Sequence, residues 1–111
     1  MLKQQVIPYE RMQNIEQAYG ITICGILVDT SADPYDGKFE VSIKGEVLSS
    51  TSRNLSDSLE IQLVCKNNQQ QVLGVGSVLL IEDEFAGYCA FDEIVYCHEI
   101  PSLVKIVPKK L

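Results

Sequence analysis

An alternation of apolar and polar residues in KFEVSIKGEV, residues 38–47, constrains the fold of this chain more than any other feature. One face of this stretch carries Phe39, Val41, Ile43 and Val47, and the other carries Lys38, Glu40, Ser42, Lys44 and Glu46. A period of two is that of a β-strand with one buried and one solvated face. The stretch SLEIQLVCK, residues 58–66, repeats it with Leu59, Ile61, Leu63 and Cys65. We therefore predict two amphipathic strands of the kind found in antiparallel sheets.

Four further segments have the length and composition of strands, and turn sequences separate them. They are residues 21–29, a fuller apolar run that predicts a more buried strand, 72–81, 88–97, and 102–107 with Pro101 and Pro108 at its ends. The turn sequences are SADPYDGK at 31–38, with its Asp-Pro and Asp-Gly pairs, the polar SSTSRNLSD at 49–57, and KNNQQQ at 66–71. In the last of these, Asn67 and Asn68 tolerate the left-handed conformation that a tight hairpin requires.

About six strands at this spacing, with no alternation of strands and helices, predict an all-β fold. Specifically, we expect an antiparallel, immunoglobulin-like Greek-key β-sandwich of six to seven strands that occupies residues 21–111 as one domain. Residues 1–20 form an N-terminal segment, in which Tyr9, Met12, Ile15 and Tyr19 have near-helical spacing. A short helix with Pro8 in its first turn and Gly20 at its end fits this spacing. An irregular segment over one end of the sandwich is the alternative.

The charge of the chain argues against some classes of partner. A net charge of -6 disfavours a nucleic-acid surface, because affinity for phosphates rests on Lys and Arg, and it equally disfavours an anionic membrane surface. The first residues lack the apolar run of a signal peptide, and no run reaches the roughly 18 residues of a membrane span. We therefore expect a cytoplasmic protein whose four cysteines are reduced.

The most acidic segment, EDEFAGYCAFDE at residues 82–93, surrounds three aromatic rings with five carboxylates. Glycosidases use paired carboxylates, but consecutive acids after a buried strand usually mark its exit into water. Calcium loops need oxygen ligands alternating around a glycine, which this segment lacks. We predict a connection between two strands, in which Phe85, Tyr88 and Phe91 pack the crossing chain onto the end of the core. Phe85 and Phe91 should be buried, while Asp83 and Glu84 should be exposed.

The cysteines and the single histidine are the other candidates for chemistry. The alternative to a non-catalytic protein is a small thiol- or metal-dependent enzyme, or a metal binder, that uses Cys89, Cys97, His98 and the acids of this segment, Glu82, Asp83, Glu84, Asp92 and Glu93. The chain has no C-x-x-C pair of the kind that binds zinc. Adjacent strand residues such as Cys97 and His98 point to opposite faces, so they do not pair locally. We predict neither catalytic residues, nor metal ligands, nor a cofactor.

Two glycines at positions 74 and 76 interrupt an otherwise apolar strand. The G-x-G spacing lacks the later residues of a dinucleotide fingerprint and falls inside a strand. Glycine within a strand marks a bulge or a place where another backbone or a ring packs closely. We expect one of these two situations at Gly74 and Gly76.

From Lys38 onward the order of elements resembles the FxLYD-type domains, small immunoglobulin-like β-sandwiches of prokaryotic proteins. The matching stretches are IKGEVLSS, LEIQLVCKNNQQQVLG, the aromatic FAGYCAF and the closing LVKIVP, and together they cover about two-thirds of the chain. Such domains are mostly binding or architectural modules without catalytic residues. The resemblance therefore implies a sandwich that works by contact, and it brings no site residue with it.

These features together favour a non-catalytic protein–protein interaction or architectural module. A sandwich has sheet edges with which a partner strand can pair. The partner is another protein or a second copy of the chain, and neither nucleic acid nor membrane is expected.

Overall fold

Two four-stranded sheets pack face to face in the computed structural model, which describes residues 5–32, 36–50 and 55–111. The elements in chain order are β1 (Gln5–Val6), β2 (Tyr9–Arg11), α1 (Gln13–Ala18), β3 (Ile21–Ala32), β4 (Phe39–Ser49), β5 (Leu59–Lys66), β6 (Val72–Leu80), β7 (Tyr88–Cys97) and β8 (Leu103–Lys110). The first sheet has the order β1-β3-β4-β7 and the second the order β2-β8-β5-β6. The predicted all-β sandwich with one short helix is confirmed. Its Greek-key, immunoglobulin-like character stays a prediction.

The core lies between the central strands of the two sheets. Val41, Ile43 and Val47 of β4 are fully buried, and Leu59, Ile61, Leu63 and Cys65 of β5 are buried opposite them. The alternation that predicted these two strands is confirmed, because β4 and β5 each have a neighbour on both sides and one face turned inward. Burial of such aliphatic side chains stabilises the fold by roughly 1.5–3 kcal/mol each.

β3 differs from the more buried strand that its apolar run predicts. Its side chains alternate, so that Ile21, Ile23 and Val28 are buried while Leu27 is exposed. The pairing with β4 is interrupted between Cys24 and Leu27, where Gly25 has a φ of 61°. A bulge at a glycine of this kind adds one residue and shifts which side chains face the core. Outward side chains of β3 such as Thr22 and Leu27 are exposed, so part of the run meets solvent.

The N-terminal segment contributes to both sheets as well as a helix. β1 pairs antiparallel with β3, and β2 pairs parallel with β8, the one parallel pair among the described strands. The prediction that the helix begins near Pro8 is wrong, because Tyr9–Arg11 are extended alongside β8 and the helix begins only at Gln13. Gly20, with a φ of 74°, follows the helix as predicted.

The turns show one further difference. Asn67 and Asn68 do not take the left-handed conformation expected of them; Gln70 does, with a φ of 64°. The Asn67 side chain instead accepts hydrogen bonds from the backbone N–H groups of Gln69 and Gln71, at 2.9 and 3.0 Å, and so holds the turn from its start. The Asp-Pro pair at 33–34 and residues 51–54 of the polar connection lie outside the described residues.

Strand β8 extends past the proline that was expected to end it. Pro108 pairs with Ile61 of β5, and β2 covers β8 only from Val104 to Ile106. At Pro108, β8 therefore has a described neighbour on one side only, and a residue without an N–H is tolerated at such a position. No helix in the described ranges is long and apolar enough to cross a membrane.

Candidate interaction surface

Residues 82–87 of the acidic segment connect the two sheets, as predicted, and residues 88–93 are the first part of β7. The chain leaves β6, turns at residues 81–87 and continues into β7. Phe85 and Phe91 are only 4% and 7% exposed, whereas Asp83 and Glu84 are exposed. The N–H groups of Glu84 and Phe85 both bond to the carbonyl of Ile81 at 2.9 Å, and this tight turn directs the Phe85 ring inward. The prediction for these four side chains is confirmed, but the expectation that Tyr88 packs onto the core beside them is wrong, because Tyr88 is half exposed.

The predicted thiol, imidazole and carboxylate candidates do not converge on one site, although Glu84 and Cys89 line the same cleft. Cys89 and Cys97 lie at opposite ends of β7, about 27 Å apart at 3.4 Å per residue. Cys97 is buried while the next residue, His98, is exposed, as strand alternation requires. Across residues 5–32, 36–50 and 55–111, no group of three or more His, Cys, Asp or Glu side chains is placed to hold a metal ion.

Strand β6 is the edge of its sheet and carries no charged residue. Its sequence is VLGVGSVLL, and β5 is its only hydrogen-bonded neighbour in the described chain. Every other described strand of eight or more residues contains at least one charged side chain. The outward side chains Val72, Val75 and Leu79 are more than half exposed. Edge strands are usually protected from pairing by charges, prolines or short length, and β6 has none of these.

The glycines of β6 bring the two sheets close together at this side of the sandwich. A Cβ on Gly74 would lie 2.8 Å from a Val95 methyl and 3.0 Å from the Tyr96 carbonyl oxygen, and a Cβ on Gly76 would lie 2.8 Å from the other Val95 methyl. The predicted close approach of another chain segment is confirmed. Because there is no Cβ at either position, β7 of the first sheet packs directly on β6 of the second.

The outward face of β7 carries a second group of exposed apolar side chains. Tyr88, Ile94 and Tyr96 are each about half exposed. The Tyr88 hydroxyl donates a hydrogen bond of 3.2 Å to Oε1 of Glu46 on the neighbouring strand. This bond raises the pKa of Tyr88 above its ordinary value, because losing the proton would place two negative charges side by side. The bond also holds the ring in one orientation beside the end of the sheet.

A cleft joins the exposed residues of β6 to those of β7. Its volume is about 200 Å³, and it is lined by Leu79, Leu80, Ile81, Glu84, Phe85, Tyr88 and Cys89. Leu79 is an outward residue of β6, and Tyr88 is an outward residue of β7. The lining is apolar apart from the Glu84 carboxylate, the Tyr88 hydroxyl and the Cys89 thiol. We call this cleft and the adjoining strand β6 the apolar edge.

Two features of the structure were not visible in the sequence. Exposure of Val75 and Leu79 depends on β6 being an edge strand, which the apolar run does not reveal. Glu16 of the short helix is 1% exposed and accepts two hydrogen bonds from Arg11, at 2.6 and 3.1 Å, and one from the Ile23 N–H at 2.9 Å. This buried ion pair fixes α1 and β2 against β3, on the side of the sandwich away from β6.

Comparison with known proteins gives no relative for this chain. No family model matches it, and neither a curated protein nor a solved structure matches it.

Proposed function

We propose that this chain is a non-catalytic protein-binding module that receives an extended segment of a partner protein along the apolar edge. The observation that carries the proposal is the uncharged, nine-residue edge strand β6. A partner strand that pairs with such an edge gains main-chain hydrogen bonds, and pockets beside the edge select its side chains. The resemblance to FxLYD-type domains, which work by contact, fits this role.

The cleft supplies the specific part of the recognition. A volume of about 200 Å³ accepts one apolar side chain, which would displace water from Leu79, Phe85 and Tyr88. A buried anchor of this kind surrounded by weaker contacts is the usual arrangement of a protein interface.

The charges around the cleft indicate the chemistry of the partner. Glu84 lies in its wall, Asp83 is exposed on the same turn, and the whole chain has a net charge of -6. Charges of one sign at the rim attract the opposite sign and disfavour the same sign. The partner segment is therefore extended, with an apolar anchor residue and at least one Lys or Arg beside it. A second copy of the chain, which carries the same negative charge, is the less suitable occupant.

A pair of matched substitutions tests the proposal. Leu79→Lys places a charge at the mouth of the cleft on the edge strand. Leu27→Lys makes the same change at a leucine of β3 that is also about half exposed. Tagged wild type and both variants are used to co-purify proteins from the native host, with quantitative mass spectrometry. We expect a partner that Leu79→Lys loses by at least about tenfold and that Leu27→Lys retains, since one buried leucine is worth roughly 2 kcal/mol.

Two controls accompany this experiment. Circular dichroism and thermal unfolding establish that both variants fold, and light scattering on the wild type reports whether a second copy occupies the edge. Equal recovery by the two variants, or no partner for the folded wild type, would overturn the proposal.

A further inference from the structure

The inner faces of the two sheets each carry one buried cysteine near the apolar edge. Cys65 is on β5 and 0% exposed, and Cys97 is on β7 and 1% exposed. In the sequence they are separated by the whole of β6 and β7, and neither belongs to a motif. The pairing of the strands and the packing of the sheets bring them together.

Gly74 shows how close the two cysteines are. It is the β6 residue directly opposite Cys65 in the β5–β6 pairing. A Cβ built on the same glycine would lie 3.3 Å from the Cys97 Sγ. Cys97 therefore lies over the β6 neighbour of Cys65, at a position where Gly74 carries no side chain.

The chemical state of the two thiols agrees with this position. The two thiols are close enough for each to shift the pKa of the other. Burial, with the contact to Cys97, raises the pKa of Cys65 to about 12, and burial raises the pKa of Cys97 as well. At neutral pH both are therefore protonated, and the fully buried pair does not meet a reagent in solution.

We propose that Cys65 and Cys97 form an oxidisable pair that closes a disulfide between the two sheets when the chain folds in the presence of a small-molecule disulfide. The thiolate of one cysteine attacks oxidised glutathione, forms a mixed disulfide and releases one glutathione thiolate. The second cysteine then attacks the mixed disulfide, so that the S–S bond between β5 and β7 forms and a second glutathione leaves. Two cysteine protons and two electrons are transferred in total, and one oxidised glutathione becomes two reduced molecules.

The burial of the pair determines when the bond forms. In the folded, reduced chain the thiols are protonated and covered, so exchange with glutathione is slow. During folding the same thiols are accessible, and they meet as the sheets come together. The other two cysteines offer no such pairing, because Cys24 is on the outward side of β3, opposite Glu46, and Cys89 is at the far end of β7 from Cys97.

The test compares refolding with and without oxidant. The full chain is denatured, reduced, and refolded in a mixture of oxidised and reduced glutathione, then digested and mapped by mass spectrometry. We expect a species about 2 Da lighter than the reduced chain, with Cys65 linked to Cys97 and the other two cysteines free. Its thermal midpoint is expected to be about 10 °C higher than that of the reduced protein, the order typical of a disulfide closing a loop of about 30 residues.

Two variants make the result independent of the wild type's other thiols. Cys24→Ser with Cys89→Ser leaves only the proposed pair and is expected to give the same cross-link, whereas Cys97→Ala removes it. If Cys97→Ala fails to fold, the first variant still decides the matter. Glutathione adducts in place of the cross-link, a bond that includes Cys24 or Cys89, or a lower thermal midpoint after oxidation would each overturn the proposal.

Discussion

Glu16 is the residue that departs furthest from its expected environment. It is a carboxylate with almost no solvent contact, placed on a helix of six residues. Arg11 and the Ile23 N–H together provide three hydrogen bonds to it, so its charge is compensated where it is buried. The hydrogen bonds from Arg11 to the Glu16 carboxylate raise the pKa of the Arg11 guanidinium above its ordinary value. The N-terminal segment is thus fixed to the sandwich by polar contacts as well as by apolar packing.

Arg11→Met should be strongly destabilising, because it leaves the Glu16 charge buried with one backbone donor. We expect the free energy of unfolding to fall by about 2–3 kcal/mol, somewhat less than for a fully buried pair because Arg11 is itself partly exposed. The matched control is Lys105→Met, which removes a 3.6 Å surface ion pair with Glu10 and should cost less than about 1 kcal/mol. Urea denaturation of the three proteins measures both values, and equal losses would contradict the prediction.

The environments of single residues were predictable where a period was available. Val41, Ile43, Leu63 and Cys65 follow from strict alternation, and Phe85 follows from being an aromatic residue in a turn between two strands. Glu16 was not predictable, because burial of a carboxylate depends on a partner and on β2 and β3, neither of which the local pattern reveals. Contact between Cys65 and Cys97 was hidden for a similar reason: it requires the stacking of two sheets.

The glycines of β6 determine how closely the two sheets approach at the apolar edge. Both face Val95, but Gly74 also faces the Tyr96 backbone, whereas the next neighbour of Gly76 is a Leu63 methyl at 3.9 Å. A methyl group at Gly76 therefore meets side chains alone, and a methyl group at Gly74 meets the Val95 and Cys97 side chains and a backbone carbonyl. At Gly76 a movement of side chains can make room for the methyl group, whereas at Gly74 the β7 backbone must also move.

Gly74→Ala and Gly76→Ala should each lower the free energy of unfolding by about 1–3 kcal/mol, the range typical of overpacking. A second substitution, Val95→Ala, should offset the loss at position 76 more completely than the loss at position 74. Urea denaturation of single and double variants gives the two coupling energies. Equal coupling energies of Val95→Ala with the two glycine substitutions would contradict the predicted difference between the positions. No loss in the single variants would show that β7 moves away freely and that the close packing is unimportant.

Entire elements were predictable when they were long enough to show their period. The strand over residues 72–81 was expected within one residue of β6, and the last strand was underestimated only because Pro108 looked like an end. β1 and β2, of two and three residues, are too short for any pattern. The bulge in β3 escaped detection because an unbroken apolar run resembles a buried strand whether or not its register shifts.

The sheet edges on the two sides of the sandwich are unequally protected against pairing with another strand. On one side the outermost strands are the short β1 and β2, joined directly through Ile7 and Pro8, with the buried Arg11–Glu16 pair beside them. On the other side they are β6 and β7, of nine and ten residues, with apolar side chains facing outward. A partner that adds a strand therefore has one suitable side. The sequence does not predict which side of the sandwich has the long edge strands, because this depends on the order of strands in each sheet.

The central place of β8 in its sheet affects the kinetics of folding. β8 lies between β2 and β5, and its pairing with β2 closes a loop of about 90 residues, whereas β3–β4 and β5–β6 are local hairpins. Ile43 of β4 and Ile106 of β8 are both fully buried. We expect Ile43→Val to slow folding and Ile106→Val mainly to speed unfolding, each with an equilibrium loss of about 1 kcal/mol. Stopped-flow measurements in urea check this, and the reverse assignment would contradict it.

Before β8 pairs with β5, the β5–β6 hairpin has a second unpaired edge, that of β5. In a partly assembled molecule, β5 would present its open side just as the finished molecule presents β6, so the β5–β6 hairpin could be extended from either side. Such a species joins to others from both sides, whereas in the second sheet of the finished sandwich β6 is the one long strand left with an open edge among the described residues. Pairing of β8, the last strand to join its sheet, therefore turns a hairpin that can polymerise into a folded protein that accepts a single partner strand.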